Sequence, residues 1–246
     1  MALLSRRAAC RAADLNPQGL TEAPVQSGIS VKPGLRYKVG TTSFCDLNND
    51  YLVPSLPDQL PAGAVVLCRW HVDLLEGMLN AIRMSFAELH HWTAYASTMP
   101  SAEMIARDLE DGDESFRLGT KWLYALCDVD LDEVVGCAGL YLQDDTDSLD
   151  IGYWVRSDCT GRGHATASVR ALTDAAFKFF PQVKRIEIAM DRANLASAAI
   201  PRKLGYMLDR EEDRPVESDG DSGRGFVWSV ERSTWLRMAG GQTSGS

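Results

Sequence analysis

From residue 64 onward, apolar residues recur with two alternating periods, and their succession gives the order of elements. Ala64-Val-Val-Leu-Cys-Arg-Trp70 reads as a strand after a turn at Pro61-Ala-Gly63. Over 72–94, Leu75, Met78, Leu79, Ile82, Phe86 and Leu89 fall at helical spacing. Ser101 is placed to cap a second helix near 102–110, with Met104, Ile105 and Leu109 as its apolar face. Strands around Trp122–Cys127, Val134–Leu142 and Leu149–Val155 are separated by acidic turns at Asp128–Glu133 and Asp144–Asp147, which makes a meander. A helix then runs to about Phe180, burying Ala165, Val169, Leu172, Ala176 and Phe180. Strand 185–190, helix 196–204, strand 206–210, a polar loop at 213–224 and strand 225–233 follow. A meander followed by helix, strand, helix and hairpin predicts an α+β fold, a mixed and mostly antiparallel central sheet with helices on both faces.

Upstream the pattern fails. Pro17, Pro24, Pro33, Pro54 and Pro57 interrupt residues 1–60, so 1–25 read as disordered and 26–60 as irregular. The expected organisation is an N-terminal extension at 1–60, one domain at 61–238 and a flexible tail at 239–246.

Candidate chemistry first shows in Ile151-Gly-Tyr-Trp-Val-Arg-Ser-Asp-Cys-Thr-Gly-Arg-Gly-His-Ala165. Here a strand passes through a short loop into a helix, with Gly161 and Gly163 where the helix begins. Glycine lets the main chain approach a ligand closely. The first amides of a helix lack intrahelical partners and lie at the positive end of its dipole, so they hold phosphate. A Walker loop would need Gly-Lys-Ser/Thr, and His164 follows Gly163 instead. A Rossmann fingerprint would need a third glycine, for which Ala165 is a partial substitute, on a strand that opens an α/β unit. The pyrophosphate loop of an acyl-coenzyme A site fits, and a helix start with incidental glycines stands beside it.

Two further blocks carry a family resemblance. Thr160-Gly-Arg-Gly-His-Ala165 resembles the Gln/Arg-x-x-Gly-x-Gly/Ala loop of the GNAT superfamily of acetyltransferases, with Thr160 in place of Gln or Arg. Asn194-Leu-Ala-Ser-Ala-Ala-Ile-Pro-Arg-Lys-Leu-Gly-Tyr206 resembles the Asn-x-x-Ser … Lys-Leu-Gly-Phe element of the ribosomal-protein N-terminal acetyltransferase (Rim-type) branch. Ile151-Gly-Tyr-Trp154 matches that branch too, and Arg83–Trp92 matches it more loosely. The resemblance spans about residues 64–236.

The resemblance implies a splayed pair of strands, 149–155 and 185–190, with acetyl-CoA between them. Main-chain groups of Tyr153, Trp154 and Val155 would pair with the pantetheine arm, and one of their amides would polarise the thioester carbonyl. Gly161, Arg162, Gly163, His164 and Ala165 would hold the pyrophosphate. In that loop Arg162 adds a charge contact, and His164 acts through its amide. Asn194 would pin the strand–helix turn and reach the pantetheine. Many members use a tyrosine as the acid at the position that is Pro201 here. Rim-type members offer a serine, which makes Ser197 the donor to the departing thiolate. Pro201 cannot donate to the Ser197 carbonyl and should bend the helix. The base in that branch is a glutamate after the sixth strand. Glu211, Glu212 and Glu217 are available, and Glu217 fits best with one inserted residue, with a water relay as the alternative. Such a base needs burial to work near neutrality. Trp92, Trp154 and Phe86 either line the acceptor pocket or fill core.

The implied activity is acetyl-CoA-dependent N-acetyl transfer, by direct attack on the thioester, to a primary amine. That amine is a protein N-terminus or a small amine such as an antibiotic or aminoacyl metabolite, and a homodimer is an open expectation. Thr160 and Pro201 support a second reading, a non-catalytic acyl-CoA-binding sensor or scaffold.

Charge and cysteine usage narrow the setting. Net charge is −9, and residues 1–60 hold six Lys/Arg and five Asp/Glu, so the acidity belongs to the domain. An acidic surface disfavours nucleic acid and suits a cationic amine. Cysteines at 10, 45, 68, 127, 137 and 159 contain no Cys-x-x-Cys, and the four histidines have no metal-ligand spacing. Cys68, Cys127 and Cys137 read as small core residues. No metal is expected. Arg6, Arg7 and Arg11 share the charge bias of a transit peptide, but no longer Ser/Arg-rich stretch follows. With no long apolar run for a membrane span, the expected location is the cytoplasm.

Overall fold

The computed structural model describes residues 56–130, 132–143 and 147–242. Among these residues eight strands form one sheet: β1 (Gln59–Ala62), β2 (Val65–Arg69), β3 (Lys121–Asp128), β4 (Glu133–Leu142), β5 (Ser148–Val155), β6 (Arg185–Asp191), β7 (Met207–Asp213) and β8 (Arg224–Glu231). Five α-helices accompany them: α1 (Leu75–Trp92), α2 (Ala102–Leu118), α3 (His164–Phe179), α4 (Leu195–Lys203) and α5 (Arg232–Gln242). The order across the sheet is β1-β2-β3-β4-β5-β6-β8-β7. Every neighbouring pair is antiparallel except β5 and β6.

Side chains alternate across the sheet, so two cores form. On one face Tyr124, Leu140, Ile151, Tyr153 and Ile186 pack with Val169, Leu172 and Ala176 of α3 and Trp235 of α5. On the other, Leu123, Cys137, Tyr141 and Trp154 pack with Met78, Leu79 and Ile82 of α1 and Ile105 and Leu109 of α2. This is the α+β sheet, helices on both faces, that the periodicities predict.

Several local expectations need correction. The sheet begins at Gln59, before the expected domain start, and Pro61 and Ala62 belong to β1 rather than to a turn. Pro61 is exposed on this edge strand, where a missing N–H is tolerated. Helix α2 continues past 110 to Leu118. Its Gly112 is tucked under Trp70, where a β-carbon would lie 2.5 Å from the indole. Ser101 does cap α2 by accepting from the Met104 amide, but Met104 itself is exposed. The last strand stops at Glu231, and helix α5 occupies 232–242 where strand end and frayed tail were expected. Arg232 anchors that helix by donating to the carbonyls of Val183, Phe177 and Phe180, and Trp235 Nε1 donates to Asp174 Oδ1 at 2.7 Å. Of the three core cysteines, Cys137 is buried, while Cys68 and Cys127 are only half-buried. The expectations for residues 1–55, for Asp144–Thr146 and for the last four residues lie outside the described residues.

Candidate active site

Strands β5 and β6 run parallel and pair only at Ser148 with Arg185, Leu149 with Ile186 and Asp150 with Glu187. Past that rung β5 continues to Val155 bonded to β4, and β6 continues to Asp191 bonded to β8. Their facing edges part, as expected for strands 149–155 and 185–190. A parted edge presents main-chain donors and acceptors that an extended amide chain can satisfy. Tyr153 and Val155 bury their side chains toward α3, and Trp154 buries its indole toward α1. What these three offer the gap is main chain.

At the end of β5 the chain turns through a clasp that the sequence reading missed. Arg156 is buried, and its guanidinium donates to both Asp158 carboxylate oxygens at 2.7 and 3.2 Å and to Glu133 at 2.8 Å. The bonds to Asp158 first, and then that to Glu133, push its already high pKa further up. Ser157 N donates to Ser85 Oγ of α1 at 3.1 Å, and the Thr160 hydroxyl donates to the Ser157 carbonyl at 3.0 Å. The available signal was an arginine directly after a buried strand, with an aspartate two residues on.

The clasp delivers the glycine loop. Gly161 and Gly163 have φ of 77° and 88°, which side-chain-bearing residues rarely adopt. A β-carbon on either would meet no heavy atom within 4 Å, so the space over the loop is open. Gly163 is the N-cap of α3 and brings no side-chain bond to the first amides. These features fit the diphosphate of acetyl-CoA. Arg162 is exposed, and its guanidinium donates to the Asp158 carbonyl at 3.3 Å. Ala165 is half-buried against the α3 core. His164 turns inward, its side chain 4% exposed and Nε2 3.5 Å from Asp128 Oδ2 without hydrogen-bond geometry. That leaves its amide for the loop. The Cys159 thiol is buried and pushed up by that burial, which disfavours the reactive thiolate.

Asn194 caps α4, its Oδ1 accepting from the Ser197 amide at 3.1 Å, as its type and position lead one to expect. Pro201 lies inside α4 and cannot donate to the Ser197 carbonyl. That carbonyl accepts instead from the Tyr153 hydroxyl of β5 at 3.1 Å, and Ser197 Oγ lies 3.2 Å from the same hydroxyl oxygen. Ser197 and Tyr153 are both buried, and burial pushes the Tyr153 phenol up. Ser197 is thereby fastened to the strand whose main chain borders the gap.

Glu217 lies elsewhere, in the loop joining β7 to β8. That loop is held to the end of α1 by Gly220 N, which donates to the His91 carbonyl at 2.7 Å. It is held to the end of β6 by Ser222, whose amide and hydroxyl donate to the Asp191 carboxylate. Within it Glu217 is exposed and its amide donates to Asp221, so it has none of the burial that the role of base requires. Glu211 is exposed beside Arg224, and Glu212 is half-buried beside Arg210. Trp154 is core, Phe86 is half-buried against His90, and Trp92 packs on His91 and Gly220. Among the described residues no group of three or more His, Cys, Asp or Glu could hold a metal ion.

A glycine loop open to a diphosphate, set at the mouth of a parted sheet, defines an acyl-coenzyme A-binding fold. The family model described as "Acetyltransferase (GNAT) domain" matches residues 67–207, more than half the chain, and the protein belongs to that family. It is an acetyltransferase with acetyl-CoA as acetyl donor. Its fold is similar to that of RimL, a ribosomal L7/L12 α-N-protein acetyltransferase solved with coenzyme A, at 16% identity, over 70% of this chain and 97% of that one, with a TM-score of 0.65. It is similar to the microcin C7 self-immunity acetyltransferase MccE, solved with acetyl-CoA and AMP, at 15% identity, over 69% and 93% of the two chains, with a TM-score of 0.63. A ribosomal-protein-S5-alanine acetyltransferase from Vibrio fischeri gives 16%, 72%, 98% and 0.63. No curated protein matches the chain.

Proposed function

We propose that this N-acetyltransferase modifies the free N-terminus of a protein, with Ser197 protonating the departing thiolate. The observation that carries the assignment is the Asn194–Ser197 turn, bonded through Tyr153 to the parted strand. It joins the Rim-type sequence element to the edge where the thioester would lie. Two of the similar folds, RimL and the S5-alanine enzyme, are by name ribosomal-protein acetyltransferases. MccE, an immunity enzyme, keeps a small aminoacyl amine as the competing acceptor.

The geometry supports the following division of labour. Bound acetyl-CoA supplies an activated acetyl group. Gly161, Gly163 and the amides of His164 and Ala165 hold its diphosphate, the Tyr153–Val155 main chain orients its arm, and Ser197 offers a proton on the α4 side. Among the described residues no helix is long and apolar enough to cross a membrane, and we place the reaction in the cytoplasm.

Ser197→Ala is expected to lower kcat at least about tenfold while the acetyl-CoA KM stays within about threefold. Steady-state kinetics with thiol detection, against peptides with free and blocked N-termini, checks both the residue and the acceptor. Equal rates for Ser197→Ala and wild type would remove the serine from the mechanism. Turnover of small amines but no peptide would favour the competing acceptor.

A further inference from the structure

Two parts of the site must grip one ligand at once, and the chain between them is short. Val155 ends the strand edge that would carry the thioester arm. Gly161, six residues on, opens the loop that would hold the diphosphate. Six extended residues reach about 20 Å, so chain length alone leaves the spacing of the two grips open. Between them stands one 3₁₀ turn, Ser157–Cys159. A lone turn of that kind is weakly bonded in itself. No side chain caps it, and its own bond runs from Cys159 N to the Arg156 carbonyl at 2.8 Å.

Arg156 supplies the rest. Its amide donates to the Val135 carbonyl at 2.8 Å, which holds the end of β5 to β4. Its side chain is 4% exposed, whereas those of Asp158 and Glu133 are each 47% exposed. Nε and Nη2 grip both oxygens of Asp158, the middle residue of the turn, and Nη1 reaches Glu133 at the start of β4. A planar fork on a carboxylate fixes direction as well as distance. One side chain therefore joins the first residue of β4, the end of β5 and the turn. From the turn, Ser157 N donates to Ser85 Oγ of α1, and the Asp158 carbonyl accepts from Arg162. Beyond it the main chain at Gly161 and Gly163 stands in open space, and Gly163 brings no side-chain bond to the first amides of α3.

We propose that Arg156 is a positioning residue that sets the distance between the diphosphate grip and the thioester edge, so that a coenzyme seated at one end is in register at the other. The assignment rests on the reading that acetyl-CoA spans the glycine loop and the gap. Arg156 touches no reacting atom, and its effect is preorganisation. A two-ended ligand gains from its second end only when the two grips stand at the ligand's own spacing. Lysine keeps the charge and loses the fork, so Arg156→Lys separates register from charge.

The test uses the full chain carrying Arg156→Lys and two probes that differ by the arm alone. ADP has the diphosphate, and dephospho-coenzyme A is the same nucleotide bearing the pantetheine arm. Calorimetric titration, with ADP at millimolar concentration, gives a dissociation constant for each. ADP binding is expected to stay within about threefold of wild type, and dephospho-coenzyme A binding to weaken about thirtyfold. In turnover of the amine that wild type uses best from a panel, the acetyl-CoA KM should rise in the same proportion while kcat stays within about fivefold. Dephospho-coenzyme A binding within about threefold of wild type overturns the proposal. So does an equal loss on ADP, which marks a loop that has merely collapsed. If Arg156→Lys shows no cooperative thermal transition, Asp158→Asn replaces it. That position is half-exposed, and the change leaves the guanidinium one carboxamide oxygen. The same pattern is expected at about fivefold, and a loss under about twofold on dephospho-coenzyme A, or an equal loss on ADP, overturns the proposal. Wild type that binds dephospho-coenzyme A no more tightly than ADP refutes the placement of the arm in the gap, and the Arg156 assignment with it. A variant that keeps the wild-type preference for dephospho-coenzyme A refutes only the latter.

Discussion

Gly163→Val is expected to cut the affinity for acetyl-CoA about a thousandfold, an effect built from two or so charge-assisted main-chain bonds worth about 1.5–3 kcal/mol each. The reason is local. Gly163 holds φ at 88° and hands the chain into α3 with no side-chain cap, so the first amides of the helix face the open space above the loop. A β-branched residue resists that φ and turns the amides away from a shared target. Since a β-carbon there would meet nothing within 4 Å, the unliganded protein suffers only the backbone strain, and its Tm should fall by about 5 °C. Arg162→Ala makes the control. Its guanidinium is exposed and bonded to the Asp158 carbonyl, so its loss should weaken binding by about threefold at most. Calorimetric titration with coenzyme A reads both variants. Binding by Gly163→Val within about tenfold of wild type would contradict a diphosphate held by these amides.

The second large effect is expected at Gly136, through stability. Its β-carbon would lie 2.3 Å from the Trp154 carbonyl oxygen and 3.0 Å from the Val155 α-carbon, and its φ is 155°. Both obstacles are main chain and neither can swing aside, so Gly136→Ala must push β5 off β4. That costs about 3 kcal/mol, or roughly 6–12 °C in Tm. It also moves the edge that would carry the thioester, so kcat should fall with Tm. Gly112→Ala gives the comparison. Its β-carbon would strike side chains, Trp70 and Leu123, which can yield, and its Tm loss should be smaller. Equal thermal transitions for Gly136→Ala and wild type would show that the two strands are not pressed together there.

Elements with a strong single period were legible in the chain. Helices α1 and α3 each bury one stripe that is written directly in residue spacing, and the meander strands, buried on both faces, show as near-continuous apolar runs between acidic turns. Helix α5 was not, because it packs mainly through Trp235 and holds its place by polar bonds from Arg232. Strand β1 was hidden by Pro57 just before it and by Pro61 within it, a breaker that an edge strand tolerates. For the site, the glycine loop and the Asn194–Ser197 turn were legible because each needs particular residue types at fixed offsets. Contacts across the sheet were not. The Arg156 clasp joins residues far apart in sequence, through the bond from its guanidinium to Glu133. Glu217 shows the opposite case, where matching by position supplied a carboxylate and the fold left it in water.

The pairing of Tyr153 with Ser197 sets the resting direction of one hydrogen atom. A phenol has a single hydrogen to give, and the Ser197 carbonyl, which can only accept, lies nearest to it at 3.1 Å. When the phenol's hydrogen is on the carbonyl, the 3.2 Å contact between the two hydroxyl oxygens is bridged by the serine's own hydrogen, which then points at the phenol oxygen rather than at the cleft. Rotating it outward toward sulfur sacrifices about one ordinary hydrogen bond, roughly 1 kcal/mol, a small toll per turnover. The proline four positions along keeps this polarity. An N–H at position 201 would compete for the carbonyl, release the phenol to donate to Oγ, and leave the serine aimed outward before any substrate arrived.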